Sequence, residues 1–112
     1  MSPQSDVFQA IADPTRRALL TRLASDGEVP VAELSRGLPS PMTLSAVSQH
    51  LRVLRDAGLV SVRKAGRERY YRLNADPLRE VAEWTRAYEA FWPERLDRLG
   101  AYLEGKKEST AR

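Results

Sequence analysis

Cationic side chains are concentrated in one short stretch of this 112-residue chain. The segment from Met42 to Asn74 contains seven basic and two acidic residues and so carries a formal charge of +5, whereas the rest of the chain sums to −2. Its basic residues are Arg52, Arg55, Arg63, Lys64, Arg67, Arg69 and Arg72. Clustered cations of this kind can pair with the phosphate groups of a polyanion, although a solvated surface is the simpler interpretation of any single residue.

Few residues are available for other chemistry. Cysteine is absent and His50 is the single histidine, which excludes disulfides and thiolate chemistry and leaves little to bind a transition metal. A nucleophile activated by histidine could form only at His50. We therefore expect no enzymatic activity, no cofactor and no metal ion. For His50 we expect a structural, hydrogen-bonded role, with a phosphate contact as the first alternative and metal ligation or catalysis as the last.

Composition predicts an ordinary globular protein, with 42% hydrophobic and 29% charged residues. Neither a secretory leader nor a run of about 20 apolar residues is apparent, so we expect a cytoplasmic protein that has no membrane partner. We expect one domain over residues 1–104 and a disordered polar tail over residues 105–112.

Three helices are predicted in the first 38 residues. The first runs from Ser5 to Ala12 and ends there because a residue before proline, here Asp13, avoids the α region. Asp13 is then a suitable N-cap for a second helix, which stops at Gly27, and a third helix ends near Gly37. Their apolar positions are Val7, Phe8, Ile11, Ala18, Leu19, Leu20, Leu23, Val31, Leu34 and Leu38.

A fourth helix carries an apolar and a polar face. It follows two prolines, has Thr43 or Ser45 as its N-cap, and ends at Gly58. The apolar face has Val47, Leu51 and Leu54 at helical spacing. The hydrogen-bonding residues Ser45, Ser48, Gln49 and Arg52 lie on its other sides.

The residues after Gly58 predict a β-hairpin, because β-branched, aliphatic and aromatic residues flank the polar tip 64–68. Two short helices joined by a turn and followed by a hairpin with a basic tip form a winged helix-turn-helix fold. This fold suits duplex DNA, because the major groove accepts one helix while the hairpin reaches neighbouring phosphates. We therefore expect a mainly α protein with five helices and a small β-hairpin.

The fifth helix is predicted to run from Leu78 to Leu103, with Asp76 as N-cap, Pro77 at its first position, and a kink or break at Pro93. Such a helix would be about 39 Å long at 1.5 Å per residue and would overhang a small domain. We therefore expect a homodimer formed through the terminal helices, with packing on the chain's own first helix as the alternative. The expected interface residues are Val7, Phe8, Ile11, Trp84, Tyr88, Phe91, Trp92, Leu96 and Leu99.

Three segments resemble the ArsR/SmtB family of arsenical-resistance repressors. VSQHLRVLRDAGLV at 47–60 resembles the family's recognition helix, DPTRR at 13–17 its second-helix entry, and GRERYYRL at 66–73 its wing. The resemblance covers residues 7–104. The aromatic final helix is similar to the branch of the family that lacks metal sites, which is typified by autorepressors of small operons. Metal sensors of the family carry Cys-Val-Cys where this chain has Pro30-Val31-Ala32, so the resemblance implies no metal sensing.

The resemblance implies DNA contacts from Ser45, Ser48, Gln49 and Arg52, and the chemistry agrees, because glutamine can pair with adenine and arginine with guanine or phosphate. A solvated helix face is the alternative for each of them. The candidates in the wing are Arg63, Lys64, Arg67 and Arg69. Because neighbours on a strand point to opposite faces, these four cannot all meet one DNA surface, and Arg67 at the tip is the preferred candidate.

We expect a sequence-specific transcriptional regulator, in particular a repressor that binds an inverted-repeat operator in double-stranded DNA as a homodimer, and that controls its own gene. One alternative is a protein-interaction module, and another is a sensor whose effector, not identified by the sequence, occupies an aromatic pocket near Trp84, Tyr88 and Trp92. The turn over residues 38–43 is about two residues longer than the family's. It either bulges outward or tilts the recognition helix.

Overall fold

The computed structural model describes residues 3–93 and contains five α-helices and a small antiparallel sheet. The helices are α1 (Pro3–Ala10), α2 (Pro14–Asp26), α3 (Val31–Arg36), α4 (Leu44–Asp56) and α5 (Leu78–Arg86), and the strands are β1 (Val29–Pro30), β2 (Val60–Ala65) and β3 (Glu68–Leu73). The chain separates into two compact units, Met1–Val81 and Ala82–Arg112. Leu96, Leu99 and the predicted tail over residues 105–112 lie outside the described residues.

Helix α2 begins and ends as the sequence predicts. A carboxylate oxygen of Asp13 accepts a hydrogen bond from the backbone N–H of Arg16 at 3.1 Å, and Pro14 occupies the first turn. Such a cap satisfies one of the N–H groups that a helix leaves without an internal partner. The hydrogen bond from Arg16 also lowers the pKa of the Asp13 carboxyl, with the nearby His50 and the Arg16 guanidinium as smaller causes.

Helix α4 is capped at both ends by its own sequence. Of the two N-cap candidates, Thr43 is the cap, since its hydroxyl accepts from the backbone N–H of Ala46 at 3.1 Å. At the other end, the Leu59 N–H reaches the Leu54 carbonyl at 2.9 Å while Gly58 has a φ of 76°. This is a Schellman motif, in which a glycine in left-handed conformation turns the chain away from the helix and directs it into β2.

The sheet has the strand order β1-β3-β2, and the β2–β3 hairpin closes through a two-residue turn at Gly66 and Arg67. Gly66 has a φ of 64° while Arg67 does not have a positive φ, which fits the type II′ turn that suits twisted strands. The hairpin was predicted, but β1 was not. Its pairing of Val29 with Tyr71 and of Pro30 with Tyr70 adds a short third strand beside the middle of β3.

The core lies where the apolar spacing predicts it. Val47, Leu51 and Leu54 of α4 are each 0% exposed and pack with buried residues of the first three helices and the hairpin. Val7 is also enclosed, with 2% of its surface exposed within the single chain. Its assignment to a subunit interface was therefore wrong, because a side chain already buried in its own core has no surface to offer a partner.

The last predicted helix is shorter than expected. It begins at Leu78, as predicted, but ends at Arg86 and is followed by a 3₁₀ turn over Glu89–Phe91. Pro93 explains the tightening of the chain before it, because proline has no N–H to donate to the Glu89 carbonyl, four residues earlier, and its ring crowds that group. The Glu89 carbonyl accepts instead from Trp92 at 3.1 Å. The helix thus ends seven residues before Pro93, where the sequence predicts a kink or break, and the residues after Pro93 lie outside the described range.

Candidate nucleic-acid interface

The polar residues of α4 form one wall of an open cleft. Ser45, Ser48, Gln49 and Arg52 are all exposed, as the amphipathic pattern predicts. The cleft has a volume of about 350 Å³, and its opposite wall is formed by Arg69 and Tyr71 of β3. The Schellman turn after α4 makes this arrangement possible, because it brings the hairpin back beside the helix that it follows.

The cleft is strongly cationic. Arg52, Arg55 and Arg69 line it, and among the described residues of its lining none is acidic. Arg55 was counted with the basic segment but was not predicted as a site residue. Its spacing could have identified it, since residues 48, 52 and 55 follow steps of four and three and therefore lie on one face of a helix.

The hairpin divides its cations between two faces. Lys64 pairs directly with Arg69 across the strands, so both side chains lie on the face that also carries Tyr71 and borders the cleft. Arg63 pairs with Tyr70 and lies on the opposite face. Arg67 is exposed at the tip of the turn. The structure therefore brings Arg69 to the recognition helix, places Lys64 beside it, and leaves Arg63 apart from them.

Arg63 has partners on its own face of the hairpin. Its guanidinium donates two hydrogen bonds to the Glu28 carboxylate, at 2.7 Å and 3.2 Å, and lies 4.9 Å from the centre of the Tyr70 ring. These hydrogen bonds lower the pKa of Glu28 and raise the pKa of Arg63. The pair connects Glu28, the residue directly before β1, to strand β2 of the hairpin.

The long turn between α3 and α4 extends outward. Pro39, Ser40 and Pro41 are exposed, whereas Leu38 and Met42 on either side of them pack against the core. Two apolar anchors therefore hold the ends of the turn, and the additional residues lie in solvent between them. This agrees with the first of the two expectations for this segment.

His50 lies on a different side of α4 from the cleft. Its Nδ1 is 3.3 Å from a guanidinium nitrogen of Arg16 and 3.9 Å from a carboxylate oxygen of Asp13. Within residues 3–93, no group of three or more histidine, aspartate or glutamate side chains is placed to share a metal ion. The surroundings of His50 thus fit the structural, hydrogen-bonded role that the sequence favours.

Large aromatic side chains are exposed in the second compact unit. Trp84 is 57%, Tyr88 46%, Phe91 76% and Trp92 41% exposed, and the Trp84 and Tyr88 rings meet edge to face with centroids 5.6 Å apart. In the first unit, Phe8 and Ile11 are half-buried against the core.

None of the helices described is long and apolar enough to cross a membrane.

Comparison with known proteins agrees with the helix-turn-helix fold and the class of transcriptional regulators that the sequence predicts. A family profile described as a helix-turn-helix domain matches residues 11–63. The HTH-type transcriptional regulator Rv2034 of Mycobacterium tuberculosis is 45% identical over 89 residues, which cover 75% of this chain and 80% of the relative.

Two solved structures extend the likeness over most of the chain. A crystal structure of a possible transcriptional regulator for arsenical resistance is 44% identical, with a TM-score of 0.63, and the match covers 90% of this chain and 96% of the other. The ArsR family transcriptional regulator RHA00566 is 34% identical, with a TM-score of 0.69 and coverage of 80% and 90%.

Proposed function

This chain belongs to the ArsR/SmtB family of winged helix-turn-helix transcriptional regulators, and from that membership we propose that it represses transcription by binding an inverted-repeat operator as a homodimer. Its relatives are DNA-binding regulators and not enzymes, so the chemistry required of it is recognition alone. A small protein that covers an operator blocks polymerase by occupying its site. An operator upstream of its own gene would make it an autorepressor.

The cationic cleft between α4 and β3 is the observation that supports this proposal. A B-form major groove about 12 Å wide accepts an α-helix, and α4 has its buried face on the core and its polar face free. Helix α4 enters the groove, and the cations of the hairpin lie against the phosphates beside it. The arginines of the cleft then meet phosphate with no carboxylate in the lining to oppose them.

The exposed residues divide between base recognition and backbone contacts. Gln49 and Ser48 are at the polar face of α4, where a glutamine can pair with adenine and a hydroxyl can bond to either a base or a phosphate. Ser45 and Arg52 contact the sugar-phosphate backbone at the edges of the groove, and Arg52 can also reach guanine. Arg67, Lys64 and Arg69 bind phosphates from the wing, and Arg55 adds a cation that was not among the predicted site residues.

Exposed aromatic surface supports the homodimer. Phe91 and Trp92 lie in the second unit with 76% and 41% of their surface exposed, and an aromatic side chain buries roughly 150–250 Å² when it is covered. Because part of each side chain is already covered, covering the remainder at about 25 cal/mol per Å² stabilises an interface by roughly 1.5–5 kcal/mol per side chain. A two-fold dimer would place two recognition helices roughly 34 Å apart, which is one turn of duplex DNA.

The test is a binding titration on two duplexes, the DNA immediately upstream of the chain's own gene and a scrambled sequence of the same composition. We expect the upstream DNA to bind at least about 10³-fold more tightly, with affinity that falls steeply as salt increases. Gln49→Ala should weaken upstream binding by at least about 30-fold and leave scrambled binding unchanged, because a homodimer loses two base contacts of about 1–3 kcal/mol each and no phosphate contact.

Gln9→Ala is the matched control, since Gln9 is an exposed glutamine on α1 and away from the cleft. It should change neither affinity. Equal affinity of the unaltered protein for both duplexes would contradict operator binding. Reporter expression from the upstream promoter that rises when this protein is produced would contradict repression, but it would not contradict DNA binding.

A further inference from the structure

One arginine of α2 connects α1 to α4. The Arg16 side chain donates from Nε to the Ala10 carbonyl at 2.6 Å and from a second nitrogen to the Gln9 carbonyl at 3.1 Å. Its remaining nitrogen is 3.3 Å from Nδ1 of His50, in the middle of α4. The two carbonyls belong to the last turn of α1, where carbonyl groups have no partner within the helix. A single planar group therefore closes the end of one helix and meets the side of another.

We propose that Arg16 and His50 are positioning residues for DNA recognition, and that their contact fixes the rotation of α4 about its own axis. His50 immediately follows Gln49, so the contact and the base-reading side chain lie on adjacent sides of the same helical turn. Rotation or sliding of α4 at His50 would move Gln49 by a similar amount. This inference rests on the proposed function, since it concerns how α4 presents its polar face to DNA.

The apolar contacts of α4 hold one of its faces against the core. Val47, Leu51 and Leu54 are completely buried there. The Arg16–His50 contact adds a directional restraint to this packing, because a hydrogen bond has a preferred angle and weakens steeply below about 120°. Base recognition requires this precision, because a bidentate contact from Gln49 needs two hydrogen bonds to be aligned together.

The chemistry of the contact shows which property of His50 is needed. A guanidinium only donates hydrogen bonds, so the contact forms with the His50 tautomer in which Nδ1 accepts and the ring proton is on Nε2. Asp13 supports the arrangement from α2, because its carboxylate accepts a hydrogen bond from the backbone N–H of Arg16 at 3.1 Å and so fixes the start of the helix that carries Arg16. Any residue that places an acceptor near the position of Nδ1 should preserve the contact. Asparagine does so, whereas leucine fills the space without an acceptor.

His50→Asn and His50→Leu provide the test, measured by fluorescence anisotropy on a duplex selected from a random pool by the unaltered protein and on a scrambled duplex. We expect His50→Asn to retain the specific affinity within about threefold and His50→Leu to lose about tenfold, with scrambled binding unchanged in both. Leucine favours a helix more than asparagine does, so an effect of helix stability would give the opposite order. Arg16→Gln, which removes the guanidinium itself, should reproduce the loss seen with leucine.

Other results would overturn the inference. Equal specific affinity of the asparagine and leucine variants would show that the acceptor at His50 does not position α4. Equal losses on both duplexes, with a weaker salt dependence, would instead assign a phosphate contact to His50. Failure of the unaltered protein to select any duplex from the pool would overturn the proposed operator binding and this inference with it. This outcome is distinguishable from failure of the inference alone, because it is seen with the unaltered protein before any variant is measured.

Discussion

Two arginines of the same hairpin provide the sharpest test of the interface. Arg69 lines the cleft beside α4, whereas Arg63 lies on the other face and donates two hydrogen bonds to Glu28. We expect Arg69→Gln to remove a phosphate contact and Arg63→Gln to leave the phosphate contacts as they are. The two changes remove the same charge within a few residues of each other, so an effect of net charge would be equal for both.

The magnitude follows from counterion release. Each phosphate contact contributes about −0.9 to the slope of log affinity against log salt concentration, and a homodimer loses two contacts when Arg69 is replaced. The slope should therefore become shallower by about 1.8, so that over a fourfold rise in salt the unaltered protein loses about tenfold more affinity than the variant. The cations on the cleft side and tip number five in each subunit, which sets a limit of about −9 for the full slope. They are Arg52, Arg55, Lys64, Arg67 and Arg69.

The assay is anisotropy on the scrambled duplex at several salt concentrations, because nonspecific binding reports phosphate contacts without base contacts. Arg63→Gln should show the slope of the unaltered protein. A slope that is equally shallow for both variants, or shallower for Arg63→Gln, would refute the assignment of the two faces of the hairpin.

Four further changes test the fold and the assembly. Asp13→Ala should lower the free energy of unfolding, measured by denaturant titration, by about 1 kcal/mol at neutral pH, whereas Asp13→Asn keeps the cap. The pKa of Asp13 is lowered on folding, so the native carboxylate should be more stabilising than asparagine at neutral pH. That advantage should disappear as the pH falls below the ordinary pKa of 3.8 and through the lower pKa of the folded protein. Leu51→Ala should cost about 2–5 kcal/mol in the same assay, and a cost near zero would mean that the core is not where we describe it. Gly58→Ala should cost about 1–2 kcal/mol, since alanine is strained at a φ of 76°, and an unchanged melting temperature would argue against the Schellman turn. Phe91→Glu should convert the proposed dimer to monomer in analytical ultracentrifugation, and an unchanged mass would exclude Phe91 from the interface.

The sequence was most informative where local rules and burial agree. Helices α2 and α4 each have an apolar stripe, a capping side chain and a glycine at or just after the end, so spacing and capping indicate the same boundaries. The polar face of α4 followed directly, because residues that do not face the core face solvent. Which of Thr43 and Ser45 caps the helix could not be decided, since both are good N-cap residues and only the backbone geometry separates them.

The missed features depend on contacts between distant parts of the chain. Strand β1 has two residues, too few for alternation to appear, and it exists only because Tyr71 lies beside Val29. The partner of Arg63 is 35 residues away in sequence and could not be found from local pattern. The end of α5 at Arg86 also could not be predicted, because the apolar spacing continues past it, and the effect of Pro93 reaches back only as far as the Glu89 carbonyl.

The strand order β1-β3-β2 also bears on how the protein avoids edge-to-edge pairing of its sheet with that of another copy. An unpaired strand edge can extend into another copy of the same sheet and seed aggregation. On one side, the edge strand is only two residues long and includes Pro30, which has no N–H for a further strand. On the other, β2 exposes Arg63 and Lys64, so that two copies aligned edge to edge would bring like charges together. Lys64 thus serves both solubility and polyanion binding, whereas Arg63 serves only the first, so a substitution that removes the charge of Lys64 would weaken both properties.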